Sequence, residues 1–195
     1  NKYIEAIGGE EKVAAIKTTM IVSNATIQGT PLVMTTKSSV PNKSLQEISV
    51  MGNVMQKTVF NGETGYQSAR GQKMDMPQAQ IDEAKATLVP FSDMAYKKGT
   101  LDRIEPIEGV NYYVVKFNST EVFYDMKTGL KAKEVKTVKT PDGKEVKVPT
   151  TFGDYKAVND VLFPYSVGLK TGPMDLNFEV KEIKVNEGVT DADFE

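Results

Sequence analysis

From Thr18 onward the chain is written in short stretches that alternate apolar and polar residues and stop at turn signals. Alternation with period two puts one kind of side chain on each face of a strand. The clearest case is "VLFPYSVGLK", residues 161–170, where Val161, Phe163, Tyr165, Val167 and Leu169 fall on one side. "NYYVVKFNS" does the same with Tyr113, Val115 and Phe117, and "MDLNFEVKEIKV" with Met174, Leu176, Phe178 and Val180. Turn signals separate such stretches at Gly29-Thr30, Gly52-Asn53, Asn61-Gly62, Gly109-Val110, Thr128-Gly129, Asp142-Gly143, Asn159-Asp160 and Gly172-Pro173. Strands joined by such short turns must run antiparallel, because a parallel pair needs a crossover of roughly a dozen residues or more. A chain of this kind is expected to be a meander of about eleven strands.

Two segments break the alternation. Residues 1–17, "NKYIEAIGGEEKVAAIK", read as two short helices split by Gly8-Gly9, a pair suited to closing a helix. Residues 77–91, "PQAQIDEAKATLVPF", place Ile81, Ala84 and Leu88 at helical spacing between prolines, which predicts one short amphipathic lid helix. A helix is only ~10–12 Å across, whereas eleven flat strands at ~4.8 Å spacing would span some 50 Å. Either the sheet curls strongly or part of its apolar face stays uncovered. The expected fold is therefore mainly β with minor α: a curved antiparallel half-barrel wrapped around short helices. One domain, 1–195, is expected, with early hairpins over 18–76 and a late meander over 101–186. Pattern alone leaves open whether the concave side is a packed core or a cavity. In either case Tyr113, Val115, Phe117, Phe163, Tyr165, Val167, Leu176 and Phe178 are expected on it, with Ile81, Leu88 and Met55 facing them. If a cavity is present, these are the candidate ligand-binding residues.

Composition narrows function. The sequence has no cysteine and no histidine, which removes thiol chemistry, the commonest general base and the commonest transition-metal ligand. No catalytic constellation, metal site or cofactor loop is legible, and a non-catalytic role is expected. Its 24 basic and 26 acidic residues are well mixed and leave a net charge of −2. That balance argues against a nucleic-acid partner, which selects a basic field. No apolar run approaches the ~20 residues that span a bilayer as a helix, so a membrane-proximal rather than membrane-spanning chain is expected. The opening "NKYIEAIGG" lacks an initiator methionine and reads either as a trimmed chain or as a domain cut from a longer protein. The closing "EGVTDADFE", with Asp191, Asp193 and Glu195 in alternation, is polar and expected to trail along the surface as a solvated tail.

"NKYIEAIGGEEKVAAIKT" followed by a β meander, with "VFNGETGY", "YDMKTGLKAK" and "FGDYKAVNDVLFPYSV", resembles the lipoprotein-localisation carriers of Gram-negative envelopes, the LolA/LolB-like fold. The resemblance implies a half-barrel over an apolar cavity, a lipid or lipidated protein as partner, and a periplasmic or outer-membrane-associated location. It also implies an arginine in the cavity, for which only Arg70 and Arg103 are available. Similar domains occur appended to pitrilysin/insulinase-type zinc peptidases. Their H-x-x-E-H motif has no counterpart here, so in that setting the segment would be an accessory, non-catalytic part of a larger protein.

Overall fold

The computed structural model describes residues 2–139, 143–171 and 174–195. The expected turn at Asp142-Gly143 lies partly, and that at Gly172-Pro173 wholly, outside them. Among the described residues four short helices, α1 (Lys2–Ala6), α2 (Glu10–Ala15), α3 (Gln78–Ala86) and α4 (Asp93–Tyr96), accompany thirteen strands and a C-terminal 3-10 turn, Asp191–Phe194. The early strands are β1 (Thr18–Ile27), β2 (Thr30–Ser39), β3 (Lys43–Val50), β4 (Asn53–Phe60), β5 (Gly65–Ala69) and β6 (Gln72–Asp75). The late ones are β7 (Thr100–Ile107), β8 (Val110–Phe117), β9 (Thr120–Asp125), β10 (Lys131–Lys139), β11 (Glu145–Val158), β12 (Val161–Thr171) and β13 (Met174–Val185). Thirteen replace the expected eleven largely because the ribbon around Gly71 is two paired strands, β5 and β6. Contacts divide the chain into two compact units, one formed by the residues up to Val13 with Asp93–Phe178, the other by Ala14–Ser92 with Glu179–Glu195.

In the first unit the order is β7-β8-β9-β10-β11-β12, followed by the start of β13. Its hairpins follow the turn chemistry of the sequence. Asn159 and Asp160, at φ 49° and 64°, form the two-residue loop that joins β11 to β12. Positive φ at both central residues matches the twist of the flanking strands. Helix α1 buries Tyr3 and Ile4, and Ile7 just beyond it is fully buried. The Leu162 amide donates to the Ile7 carbonyl at 2.7 Å, fixing this segment to β12. Gly8 makes that approach possible: a Cβ there would lie 2.7 Å from the Asp160 carbonyl oxygen. The "YDMKTGL" phrase is a turn held by its own side chains. Asp125 Oδ1 accepts the Lys127 and Thr128 amides at 2.7 and 2.8 Å, and Thr128 Oγ1 accepts the Leu130 amide at 3.2 Å. Gly129 then lies against α1, where a Cβ would meet the Lys2 carbonyl oxygen at 3.1 Å and the Ala6 Cβ at 3.2 Å.

In the second unit the order is β6-β5-β4-β3-β2-β1, followed by the end of β13. Two expectations change here. Helix α3 buries none of its residues. It stops at Ala86, with Thr87 already extended (φ −89°, ψ 121°), so Leu88 is not on the helix and the 77–91 lid shrinks to 78–86. The C-terminal tail stays on the surface, as expected, but is anchored there rather than freely solvated. Phe194 is buried against Leu45 and Val59, with Tyr66 and Val189 beside them. Lys43 Nζ donates to Asp191 at 2.7 Å, and Lys37 Nζ bonds Asp193. One aromatic residue anchors an otherwise polar segment, and two lysines on neighbouring strands meet its carboxylates.

The Asp193 clasp has a pH signature. Partial burial pushes its carboxyl up, but the Lys37 bond and the Thr190 bonds outweigh this and hold it below the usual range. A depressed carboxyl contributes stability that is full above the unfolded value, about 3.9, and is lost as pH falls through the folded one. In acid titrations of stability, the gap between the native protein and Asp193→Asn should be constant above about pH 5 and narrow below about pH 4. Curves that stay parallel down to acid unfolding would show that the clasp carries no such linkage.

Candidate functional site

The first unit holds a cavity of about 630 Å³. Its sheet side is Leu101 of β7, Tyr113 and Val115 of β8 and Tyr124 of β9; its helix side is Tyr3 of α1 and Tyr96 of α4. Lys2, Glu10, Lys97 and Asp125 add charge. Lys97 Nζ pairs with Glu10 at 2.7 Å, and the Lys2 ammonium lies 5.3 Å from the centre of the Tyr113 ring.

The tyrosines turn their polar ends toward a buried ion pair. Asp93 opens α4 and is 2 % exposed; Lys131 opens β10 and is 7 % exposed. Lys131 Nζ donates to Asp93 Oδ2 at 2.7 Å, and the Tyr124 hydroxyl donates to Asp93 Oδ1 at 2.6 Å. Glu134 lies 3.7 Å from the same ammonium and accepts the Tyr96 hydroxyl at 2.9 Å. Tyr155 donates to the Lys131 carbonyl at 2.8 Å and shares a hydroxyl bond with Tyr3. The rings of Tyr3, Tyr96 and Phe152 lie 5.7, 5.9 and 4.6 Å from the Lys131 ammonium, a cation–π setting strengthened by desolvation. Burial, reinforced by the Asp93 charge, pushes the Tyr3 and Tyr124 phenols well above their ordinary value. They therefore stay protonated hydrogen-bond donors at any physiological pH. Among the described residues no buried side-chain nitrogen or oxygen lacks a partner. With the hydroxyls of Tyr3, Tyr96 and Tyr124 committed, these three residues offer the cavity mainly ring carbon.

Lys131 reaches this position through a bulge. β10 pairs Lys131 with Tyr124 and Lys133 with Phe123, so the register shifts at Ala132. Bulges re-aim side chains. Lys131 turns to the Tyr124 side, whereas Lys133 lies over the Phe123 ring, 5.1 Å from its centre.

The expected binding residues divide between the units. Tyr113 and Val115 line the cavity, and Phe117 packs on Tyr96 with ring centres 5.5 Å apart. Phe163 and Phe178 are core residues at 3 % and 4 % exposure, away from the cavity lining. Tyr165, Val167 and Leu176 are half-buried, with Tyr165 beneath the Lys156 ammonium and Val167 opposite Phe152. In the second unit, Ile81 lines a smaller cavity of about 440 Å³ beside Val59, Tyr66, Met76 and Phe194. Leu88 is half-buried beyond α3, and Met55 on β4 is 39 % exposed. Neither arginine enters the tyrosine-lined cavity. Arg70 is exposed at the β5–β6 turn. Arg103 pairs with Val114, which faces away from Tyr113 and Val115, and binds Asp102, Glu105 and Glu121. The buried cation beside the cavity is Lys131, which the strand pattern did not single out. Among the described residues no cluster of acidic side chains could hold a metal ion.

No family model and no curated protein matches the sequence. Solved structures do match the fold. A LolA superfamily protein from Nitrosomonas europaea is similar at a TM-score of 0.60 and 11% identity over 92% of this chain and 90% of its own. A DUF1329 family protein from Desulfovibrio piger matches at 0.59 and 11%, over 95% and 92%. A domain assigned to outer-membrane lipoprotein sorting, from Vibrio parahaemolyticus, matches at 0.56 and 14%, over 92% and 87%. The fold is LolA-like.

Proposed function

We propose that this domain is a non-catalytic binding module of the cell envelope that holds the hydrophobic part of a lipid or lipidated protein in the tyrosine-lined cavity. The observation that carries the reading is the cavity itself. Its volume, about 630 Å³, falls in the ~300–1,000 Å³ range of small-molecule sites, and four tyrosine rings with Leu101 and Val115 make up the greater part of its lining, beside the charged Lys2, Glu10, Lys97 and Asp125. Its buried polar groups satisfy one another, so none is left to fix a polar substrate at depth. An acyl chain asks for no such partner. Each buried methylene contributes about 0.8 kcal/mol, and a long chain gains on the order of ten kcal/mol gross before the entropy of association is subtracted. Two supports come from outside the cavity: the likeness of fold to a domain assigned to lipoprotein sorting, and the envelope phrases of the sequence. A periplasmic or outer-membrane-associated location follows from the same reading.

Displacement of a fluorescent fatty acid tests it. The native protein should bind the probe one-to-one at micromolar concentration. Val115→Asp, which puts a charge in the cavity wall, should weaken binding at least tenfold while circular dichroism shows the fold retained. No saturable binding to the native protein, with probe and with long-chain competitors alike, would overturn the proposal.

A further inference from the structure

We infer that the ligand is an amphiphile whose chain is longer than the cavity and leaves it across the free edge of β7, over Leu101 and Ile104; this rests on the proposed function above. Strand β7 ends the sheet order of its unit and pairs only with β8. Leu101 lines the cavity yet is 57% exposed, and Ile104 is 55% exposed. In a regular strand residues three apart point to opposite faces. Here the register shifts between Leu101 and Arg103, so Leu101 pairs with Val115 and Ile104 with Tyr113. Directly paired residues share a face, and Val115 and Tyr113 both line the cavity. The bulge therefore turns two large aliphatic side chains onto the cavity face. The extra residue, Asp102, is held by Arg103 and Lys116.

Edge strands are ordinarily protected by charge. An apolar shelf continuous with the cavity wall points to a flexible aliphatic chain as its cover. The bulge and Pro106, which has no amide hydrogen to donate, interrupt the edge's hydrogen-bonding row and disfavour an added strand from a protein partner. Ile104 is outside the cavity lining, so it acts only on a chain long enough to emerge.

A chain-length series separates this from binding in the cavity alone. Saturated fatty acids from C10 to C18 compete for the fluorescent probe on the native protein, Ile104→Asn and Ile104→Leu. For the native protein and Ile104→Leu, affinity should rise about fourfold per added methylene up to C18. Ile104→Asn should match the native protein at C10, flatten above the length that fills the cavity, and from there fall behind it by about fourfold for each further methylene. Parallel curves for the three proteins, or a native curve that plateaus at short chains, would overturn the shelf while leaving the cavity reading intact. No competition at any length would remove both. Self-association of the native protein that Ile104→Asn abolishes, with lipid affinities unchanged, would assign the edge to a second copy of the chain instead.

Discussion

Replacing Lys131 with methionine is expected to lower stability by about 3–5 kcal/mol, read as a shift of the urea midpoint at constant slope. The cost comes from what is left behind. Asp93 is 2 % exposed, and without Lys131 its charge keeps the Tyr124 hydroxyl and loses its cation. Glu134, 3.7 Å from the same ammonium, loses it too. Removing one partner of a buried pair is expensive, whereas replacing both with apolar groups is often neutral, because the desolvation of two charges offsets most of their attraction. The double variant Asp93→Leu with Lys131→Met should accordingly recover a large part of the loss, and the four proteins of the cycle give the coupling between the two positions. A single Lys131→Met variant within about 1 kcal/mol of the native protein would show that water reaches this pair and that it is not buried in solution.

What could be read in the sequence follows the strength of each local signal. Alternation and turn residues gave the late strands β7 to β13 and the early hairpins almost in place, because most of each strand is a period-two run, bulges in β7 and β10 apart, and each turn carries its own chemistry. Tyr113 and Val115 fell on the cavity wall for the same reason. The helical spacing of Ile81, Ala84 and Leu88 misled, since α3 ends at Ala86. Val89 precedes Pro90, and a residue in that position disfavours the helical conformation. Lys131 was invisible because "LKAKEVK" reads as an alternating solvated face, and one bulged residue reverses the side on which Lys131 falls. Asp93 lies in a four-residue helix, too short to show any period. Phe194 was a single apolar residue among charges, and only the tertiary contact with Leu45 and Val59 reveals its role.

The two aromatic residues Phe163 and Tyr113 should respond to truncation in opposite ways. Phe163 is 3 % exposed and lies two residues from Val161, which is fully buried. Between them, Leu162 is bonded to the Ile7 carbonyl. Removing such a ring leaves a void that packed neighbours fill only in part, so Phe163→Ala should cost about 3–5 kcal/mol. Since Phe163 is not in the cavity lining, probe affinity should hold wherever the variant is folded. Tyr113 is half-buried, with a face toward the cavity and Lys2 above its ring. Its surroundings are already open on one side, so Tyr113→Ala loses fewer packing contacts and should cost about 1–2 kcal/mol, the ordinary range for a point substitution. It should weaken fatty-acid binding at least tenfold, because a ring of ~150–250 Å² leaves the wall that the chain would contact. A urea melt and a displacement titration on both variants decide the matter. If Phe163→Ala melts like the native protein but loses the ligand, the cavity extends to β12 and the division between core and wall is misplaced. If Tyr113→Ala loses stability as heavily as Phe163→Ala and binds lipid unchanged, β8 faces packed core and the ligand lies elsewhere.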